Sequence, residues 1–228
     1  MCSRYAWVDP SLLDKGTSPM TTDAATPPAF QPRYNIAPNT FITTIRAENG
    51  QRVTEEMFWG FTNPYGKPLI NARIETIKEK PLFSAAFKRQ RCVMPADCFY
   101  EWIKEQGKRK QPIRFSNKTD KLLYLAGIWK DSMDATGRIK VCAICTSAPN
   151  SLVAPIHDRM PLALTPDKVE MWLAGGELNG RDYEKFKVPY PAELLKSIEL
   201  DTYVNNVNHE GPRCWTPRQK EKEEATLF

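Results

Sequence analysis

Alternation of apolar and polar positions marks out six strands along the chain. The runs 41–47 (FITTIRA), 53–61 (VTEEMFWGF), 91–96 (RCVMPA), 98–104 (CFYEWIK), 122–130 (LLYLAGIWK) and 139–147 (IKVCAICTS) are short and rich in β-branched and aromatic residues, as a half-buried pleated surface requires. Helical periodicity is rarer. Residues 81–90 (PLFSAAFKRQ) put Leu82, Phe83, Ala86 and Phe87 on one face, with Pro81 in the first turn. Residues 165–175 open on a Thr cap and close at Gly175 and Gly176, and residues 191–198 (PAELLKSI) predict a short third helix. Strands outnumber helices and follow one another without βαβ alternation. The expectation is a single α+β domain, a mainly antiparallel sheet with a few flanking helices, over residues 1–216. The Pro- and Thr-rich stretch 15–33 reads as a flexible loop insertion and 217–228 as a charged, solvated tail.

Three segments interrupt this pattern with polar groups. In LINARIET, strand alternation places Leu69, Asn71, Arg73 and Glu75 on one face. In CFYEWIK it sets Glu101 beside Phe99 and Ile103, opposite Tyr100 and Trp102. A carboxylate with such neighbours has a raised pKa, which suits a general acid or base at neutral pH. In APIHDRMPLAL, His157, one of two histidines in the chain, lies between apolar pieces beside Asp158 and Arg159. Structural readings stand next to these: Glu101 salt-bridged to Arg73, Asn71 capping a turn, His157 satisfied in a core.

Composition narrows the classes. At 228 residues with 26% charged and 41% hydrophobic positions the chain is of globular type. No apolar run approaches the ~20 residues of a membrane span, and no signal-like segment opens the sequence, so the expectation is a cytoplasmic protein with reduced thiols. A net charge of +5 permits polyanion binding without requiring it. Of six cysteines, Cys142 and Cys145 form a CxxC in an alternating apolar run, which reads as core strand rather than a metal knuckle, and no metal or cofactor is expected. Cys2 differs by its place. Aminopeptidases remove Met1 when the second residue is small, leaving a free amine of pKa roughly 7.7–8.0 separated from a thiol by two carbons. Such a 1,2-aminothiol condenses with an aldehyde and closes a thiazolidine ring, or serves as an N-terminal nucleophile on an amide.

The segments MCSRYA, PRYNIAPN (32–39), MFWGF (57–61), LINARIET (69–76), RCVMPADCFYEW (91–102), IHDRMPLAL (156–164) and VNN (204–206), in this order, resemble the SRAP (SOS response-associated peptidase) family, the abasic-site-crosslinking proteins of bacteria, phage and eukaryotes. The resemblance implies a barrel-like sheet and single-stranded DNA containing abasic sites as partner. It further implies a monomer, associated with the nucleoid when on DNA, with autopeptidase and lyase activity. By the same resemblance Cys2 captures the opened abasic sugar as a thiazolidine, Asn71 holds the amine and sugar, Glu101 moves protons, and His157 protonates the ring oxygen. Arg4, Arg73 and Arg159 match family arginines on flanking phosphates. Ser3 and Cys98 stand where the family has Gly. The 61–73 stretch is short and lacks the family's tryptophan wedge, with Tyr65 the nearest aromatic. Two other readings remain: a cysteine peptidase using Cys2, Glu101 and His157, and a non-catalytic single-stranded DNA binder using Tyr34, Trp59 and Tyr65.

Overall fold

The computed structural model describes residues 2–13, 30–62, 66–103, 110–174 and 176–219. In chain order they form β1 (Tyr5–Trp7), β2 (Arg33–Ile36), β3 (Phe41–Glu48), β4 (Gln51–Trp59), β5 (Asn71–Arg73), α1 (Pro81–Arg89), β6 (Arg91–Ala96) and β7 (Cys98–Ile103). There follow β8 (Gln111–Asn117), β9 (Leu123–Asp134), β10 (Gly137–Ser147), β11 (Met160–Pro161), β12 (Ala163–Leu164), α2 (Pro166–Leu173), α3 (Gly180–Lys187) and β13 (Leu195–Glu199). All six expected strands form.

The strands build two sheets. In the larger, the order β10–β4–β3–β6–β9 closes on itself because β9 also pairs with β10, which makes a five-stranded barrel. Closure leaves these strands no free edge. The β3–β4 hairpin turns at Asn49 and Gly50, both with positive φ (51° and 80°), the conformation in which an Asn-Gly turn matches strand twist. Pairing is antiparallel except along β10, whose partners β4 and then β5 run parallel to it. β4 ends at Trp59 and β5 begins at Asn71. The second sheet is antiparallel, in the order β13–β8–β7–β1–β2.

β7 is the wall between two cores. Phe99 stacks on Phe115 at 5.0 Å on the side of the main core, while Cys98 and Tyr100 pack with Ala6, Leu200, Val204 and Cys214 on the other. Cys142 and Cys145 are fully buried in β10. Three residues apart on a strand, they point to opposite faces and cannot share one ligand.

Three expectations change. Residues 191–198 form a 3₁₀ turn (Ala192–Leu194) and then β13, which pairs with β8. Eight residues make a marginal helix, whereas the open edge of β8 satisfies five residues of backbone. α3 was not foreseen, although Asn179 caps it by accepting from the Asp182 N–H (2.9 Å). β8 was missed too, despite its alternation. The expected loop at 15–33 and tail at 217–228 lie mostly outside the described residues. Arg33 already belongs to β2, and Pro217 bridges Leu200 while Arg218 reaches Glu199. Among the described residues no helix is long and apolar enough to cross a membrane.

Arg91 ties the helices to the barrel. Its buried guanidinium donates to the carbonyls of Phe87 (2.9 Å) and Lys88 (3.2 Å) at the end of α1, of Trp172 at the end of α2, and of Gly176 (2.8 Å). One fixed cation thus serves the negative ends of two helices. Replacing it with Leu leaves these carbonyls without a donor, and thermal or urea unfolding should register a loss of about 2–4 kcal/mol. A loss under about 0.5 kcal/mol would show that the helix ends are satisfied by water instead.

Candidate active site

The N-terminal segment reaches the site because β1 lies between β2 and β7. Tyr5 pairs with Phe99 and Ala6 with Cys98, and the Arg4 carbonyl accepts from the Tyr100 N–H at 3.0 Å. Past Arg4 this register is not carried on: Cys2 packs in the main core with Phe99, while Trp102 packs against the second core. Asp97, at the crossing from barrel to sheet, fixes the start of the ladder. It donates its N–H to Ala6 (2.9 Å) and accepts the Val8 N–H on its carboxylate (2.6 Å). Among the described residues only Asn39, Asn49 and Asp120 combine a side chain with positive φ, so Ser3 and Cys98 replace glycine without backbone strain.

Cys2 is fully buried. Burial, and then the nearby charge of Glu101, push its thiol far above the ordinary range, against a smaller opposite pull from the Arg4 backbone. The resting sulfur is a neutral thiol. Glu101 itself is 3% exposed. Burial is the main cause that raises its pKa from 4.5 to about 7, with the Asp158 charge adding to it. Its Oε1 is buried without a hydrogen-bond partner, and its Oε2 lies 4.0 Å from His157 Nε2.

A turn built on Asn150 carries His157. Asn150 Oδ1 accepts from the N–H groups of Leu152 (3.1 Å) and Val153 (3.0 Å), and the His157 N–H then bonds the Val153 carbonyl at 3.0 Å. The ring is held through Nδ1, which accepts from the Arg159 N–H (3.0 Å) and lies 2.9 Å from Asp158 Oδ1. These partners select different protonation states. A bare Nδ1 takes the Arg159 N–H and leaves the proton on Nε2, facing Glu101. A protonated Nδ1 turns to Asp158 and the ring is then cationic or reversed in tautomer. Glu101 and His157 therefore form an acid–base pair with one end in the core and the other at the exposed Asp158.

Asn71 enters from β5, opposite Ile144 of β10, its Nδ2 only 3.5 Å from the Ile144 carbonyl and its Oδ1 buried without a partner. Trp59 anchors this segment by donating its indole N–H to the Ile70 carbonyl (2.8 Å). Two residues along β5, Arg73 stands opposite Thr146, and Thr146 in turn accepts from Arg159 (2.7 and 3.2 Å). Through Arg73, Thr146 and Arg159 the strand that carries Asn71 is linked to the turn that bears His157. An unpartnered buried acceptor costs about 1–3 kcal/mol, and there are two here, Asn71 Oδ1 and Glu101 Oε1. Both would accept from an amine or hydroxyl.

The remaining residues fall into different places. Arg73 is exposed. Arg159 forms a bidentate pair with Glu75 (2.9 and 2.8 Å), a partner the sequence did not suggest because β5 ends at Arg73 and a turn brings Glu75 back. The face expected across Leu69, Asn71, Arg73 and Glu75 therefore stops at Arg73. Arg4 is buried, donating to Asn35 Oδ1 (2.6 Å) and the Val204 carbonyl (3.1 Å). Tyr34 packs edge-on to Trp215 at 4.8 Å. Tyr65 lies outside the described residues. Trp59 is fully buried and offers no surface to a base, which corrects its assignment as a DNA-stacking aromatic. Among the described residues no ion pair joins Glu101 to Arg73, so that structural reading of Glu101 falls.

Known proteins resemble this chain in sequence and in fold. A family model described as SOS response associated peptidase (SRAP) matches residues 1–207. The chain is 33% identical over 190 residues to abasic site processing protein YoqW of Bacillus subtilis, covering 80% of this chain and 85% of that one. It is 28% identical over 189 residues to abasic site processing protein YedK of Escherichia coli, covering 81% and 84%. A crystal structure of a Bordetella bronchiseptica protein superposes with a TM-score of 0.72 at 28% identity, covering 88% of this chain and all of that one. A Bacteroides thetaiotaomicron structure shares the fold, with a TM-score of 0.70 at 23% identity and coverage of 82% and 85%.

The Glu101 environment has a measurable signature. Below pH 4.5 the carboxyl is protonated whether folded or not. Between 4.5 and about 7 the unfolded chain releases the proton and the folded one keeps it, so stability falls as pH rises through this window. Glu101→Gln removes that dependence. In urea titrations at pH 4.5 and 8, the wild type should lose about 2–3 kcal/mol relative to the variant. Parallel stability curves for the two proteins would mean that the carboxyl is not held neutral.

Proposed function

Because this chain belongs to the SOS response associated peptidase (SRAP) family, we propose that it processes abasic sites and does so by bonding Cys2 to the opened sugar in single-stranded DNA. The relatives named as abasic site processing proteins support the general activity. The observation that carries the chemistry is Glu101: a buried carboxyl with a free oxygen, a pKa near neutrality, and His157 at 4.0 Å.

With Met1 removed, Cys2 presents an amine and a thiol at that carboxyl. His157, cationic with its Nδ1–H on Asp158, donates its Nε2 proton to the sugar ring oxygen, and the C1′–O4′ bond breaks as the C1′ hydroxyl passes its proton to Glu101 and becomes the aldehyde. The Cys2 amine adds to C1′, and Asn71 Oδ1 accepts an N–H to hold it. Glu101 then protonates the departing hydroxyl, and water leaves the imine carbon. The Cys2 sulfur adds to the iminium carbon, its proton returning to His157 Nε2, and closes the five-membered ring. One water is lost overall, and no oxidant is needed. Exposed Arg73 is placed for a flanking phosphate. Arg159 takes the same role only by sharing Glu75.

A peptidase reading requires a thiolate. Burial and the charge of Glu101 hold the Cys2 thiol far on the protonated side, which favours attack on an activated imine over attack on an amide.

Intact mass spectrometry with an abasic oligonucleotide tests the reading. The expected species lacks Met1 and weighs protein plus DNA minus one water, stable without borohydride. Cys2→Ala should give none, and Cys2→Ser only a borohydride-dependent adduct. Glu101→Gln and His157→Ala should slow the reaction about 10²- to 10⁴-fold with binding to undamaged DNA retained. Wild-type rates in both variants would remove the roles assigned to them.

A further inference from the structure

Arg159 enters the mechanism through its main chain, whose N–H holds His157 Nδ1 at 3.0 Å. Its guanidinium is committed elsewhere. Nη1 and Nη2 donate to the two oxygens of Glu75 (2.9 and 2.8 Å), and Nη2 also donates to the carbonyl and hydroxyl of Thr146 (2.7 and 3.2 Å). Nε is buried without a partner. No edge of this cation stays open to an incoming anion while Glu75 is in place.

Which member of the pair lies outermost decides what a ligand meets first. The Arg159 side chain is 12% exposed and that of Glu75 35%, so the carboxylate stands between the cation and solvent. The Ala148 N–H holds it there as well, donating to Glu75 Oε1 at 3.2 Å. Burial pushes the Glu75 carboxyl up, but the hydrogen bonds from Arg159 outweigh it and keep the group below the ordinary carboxylate range. Glu75 is therefore an anion at neutral pH. A guanidinium fork and one main-chain N–H converging on two anionic oxygens are the donors that bind a phosphate. This chain fills them with its own side chain.

The filled site adjoins the reaction. One residue carries both the fork and the N–H on His157, and exposed Arg73 stands opposite Thr146 on the neighbouring strand. A DNA strand whose sugar lies at His157 brings its phosphates towards a position that is already negative. Such a phosphate is repelled by Glu75 and reaches Arg159 only at the expense of that ion pair.

We propose that Glu75 occupies an anion site, formed by the Arg159 fork and the Ala148 N–H, which a DNA phosphate takes over on binding, and that this competition sets the preference for damaged over undamaged strands. An undamaged strand has only such contacts to hold it, and Glu75 weakens them. An abasic strand is kept by its bond to Cys2, which Glu75 does not touch. The proposal rests on the abasic-site reading and names a residue that governs its selectivity.

Binding of an undamaged single-stranded 11-mer is followed by fluorescence anisotropy across a salt series. Glu75→Gln, equal in shape and uncharged, should tighten it roughly 3- to 30-fold. It should also steepen the slope of log K against log salt by about 0.7, the share of one further phosphate. Glu75→Asp keeps the charge and should stay near the wild type in both. With abasic DNA, undamaged competitor should inhibit crosslinking by the Gln variant at a concentration lower by the same factor. A second measurement needs no variant: followed by NMR in the wild type, the Glu75 carboxyl should titrate at higher pH once the 11-mer is bound, having lost Arg159. An unchanged titration in the complex would overturn the proposal. So would unchanged or weaker binding by a Glu75→Gln protein that still crosslinks. The binding measurements use undamaged DNA, so a wild type that binds but never crosslinks sinks the proposed function and leaves Glu75 in its anion site.

Discussion

The pairing of β1 with β7 is the contact on which the candidate site depends. Three residues of strand, held by Asp97 at one end and by the Arg4 carbonyl at the other, bring the start of the chain to a buried carboxyl in the middle of the molecule. A terminus is ordinarily the least ordered part of a fold. Here β2 covers its other edge, and the whole segment from Cys2 to Trp7 is buried apart from half-buried Ser3. An N-terminal amine and thiol can be a precise reagent only if the backbone behind them is fixed, and this sheet fixes it.

The site is held in a state that costs stability. Two buried oxygens lack partners, a carboxyl is kept near neutral pKa by burial, and a thiol is kept protonated. The orphaned oxygens and the buried carboxyl are unfavourable for folding alone, and they leave acceptors ready for a ligand that brings donors. The closed barrel, and the buried arginine that fastens α1 and α2 to it, supply the rigid frame against which such strain persists. The parallel pairing of β5 with β10 sets Arg73 opposite Thr146, which accepts from Arg159.

One strand separates two chemistries. Through Glu101, β7 faces the acid–base pair. Through Trp102 it faces an open, cationic and aromatic cavity bounded by the 201–213 segment. The N-terminal residues run along the end of this strand and touch both sides.

Much of this was legible in the residues. Alternation gave six of the seven described strands that have six or more residues, since period two follows from the pleat itself; β8 was the one missed. It also gave the burial of Glu101 beside Phe99 and the place of Cys142 and Cys145 in a core strand. The motif set placed the chain in its family. Periodicity failed at 191–198, where the open edge of β8 outweighed a weak helical preference, and it could not assign three-residue strands such as β1 and β5, too short to carry a period. The sequence by itself determined which groups the chain owns and on which face of their local element they lie. That Glu101 meets His157 across 56 residues of chain, that Arg159 is taken by Glu75, and that VNN walls a cavity beside Ser3 were decided by tertiary structure alone. Those distances are set by sheet order and barrel closure, which are properties of the whole packed chain and of no segment within it.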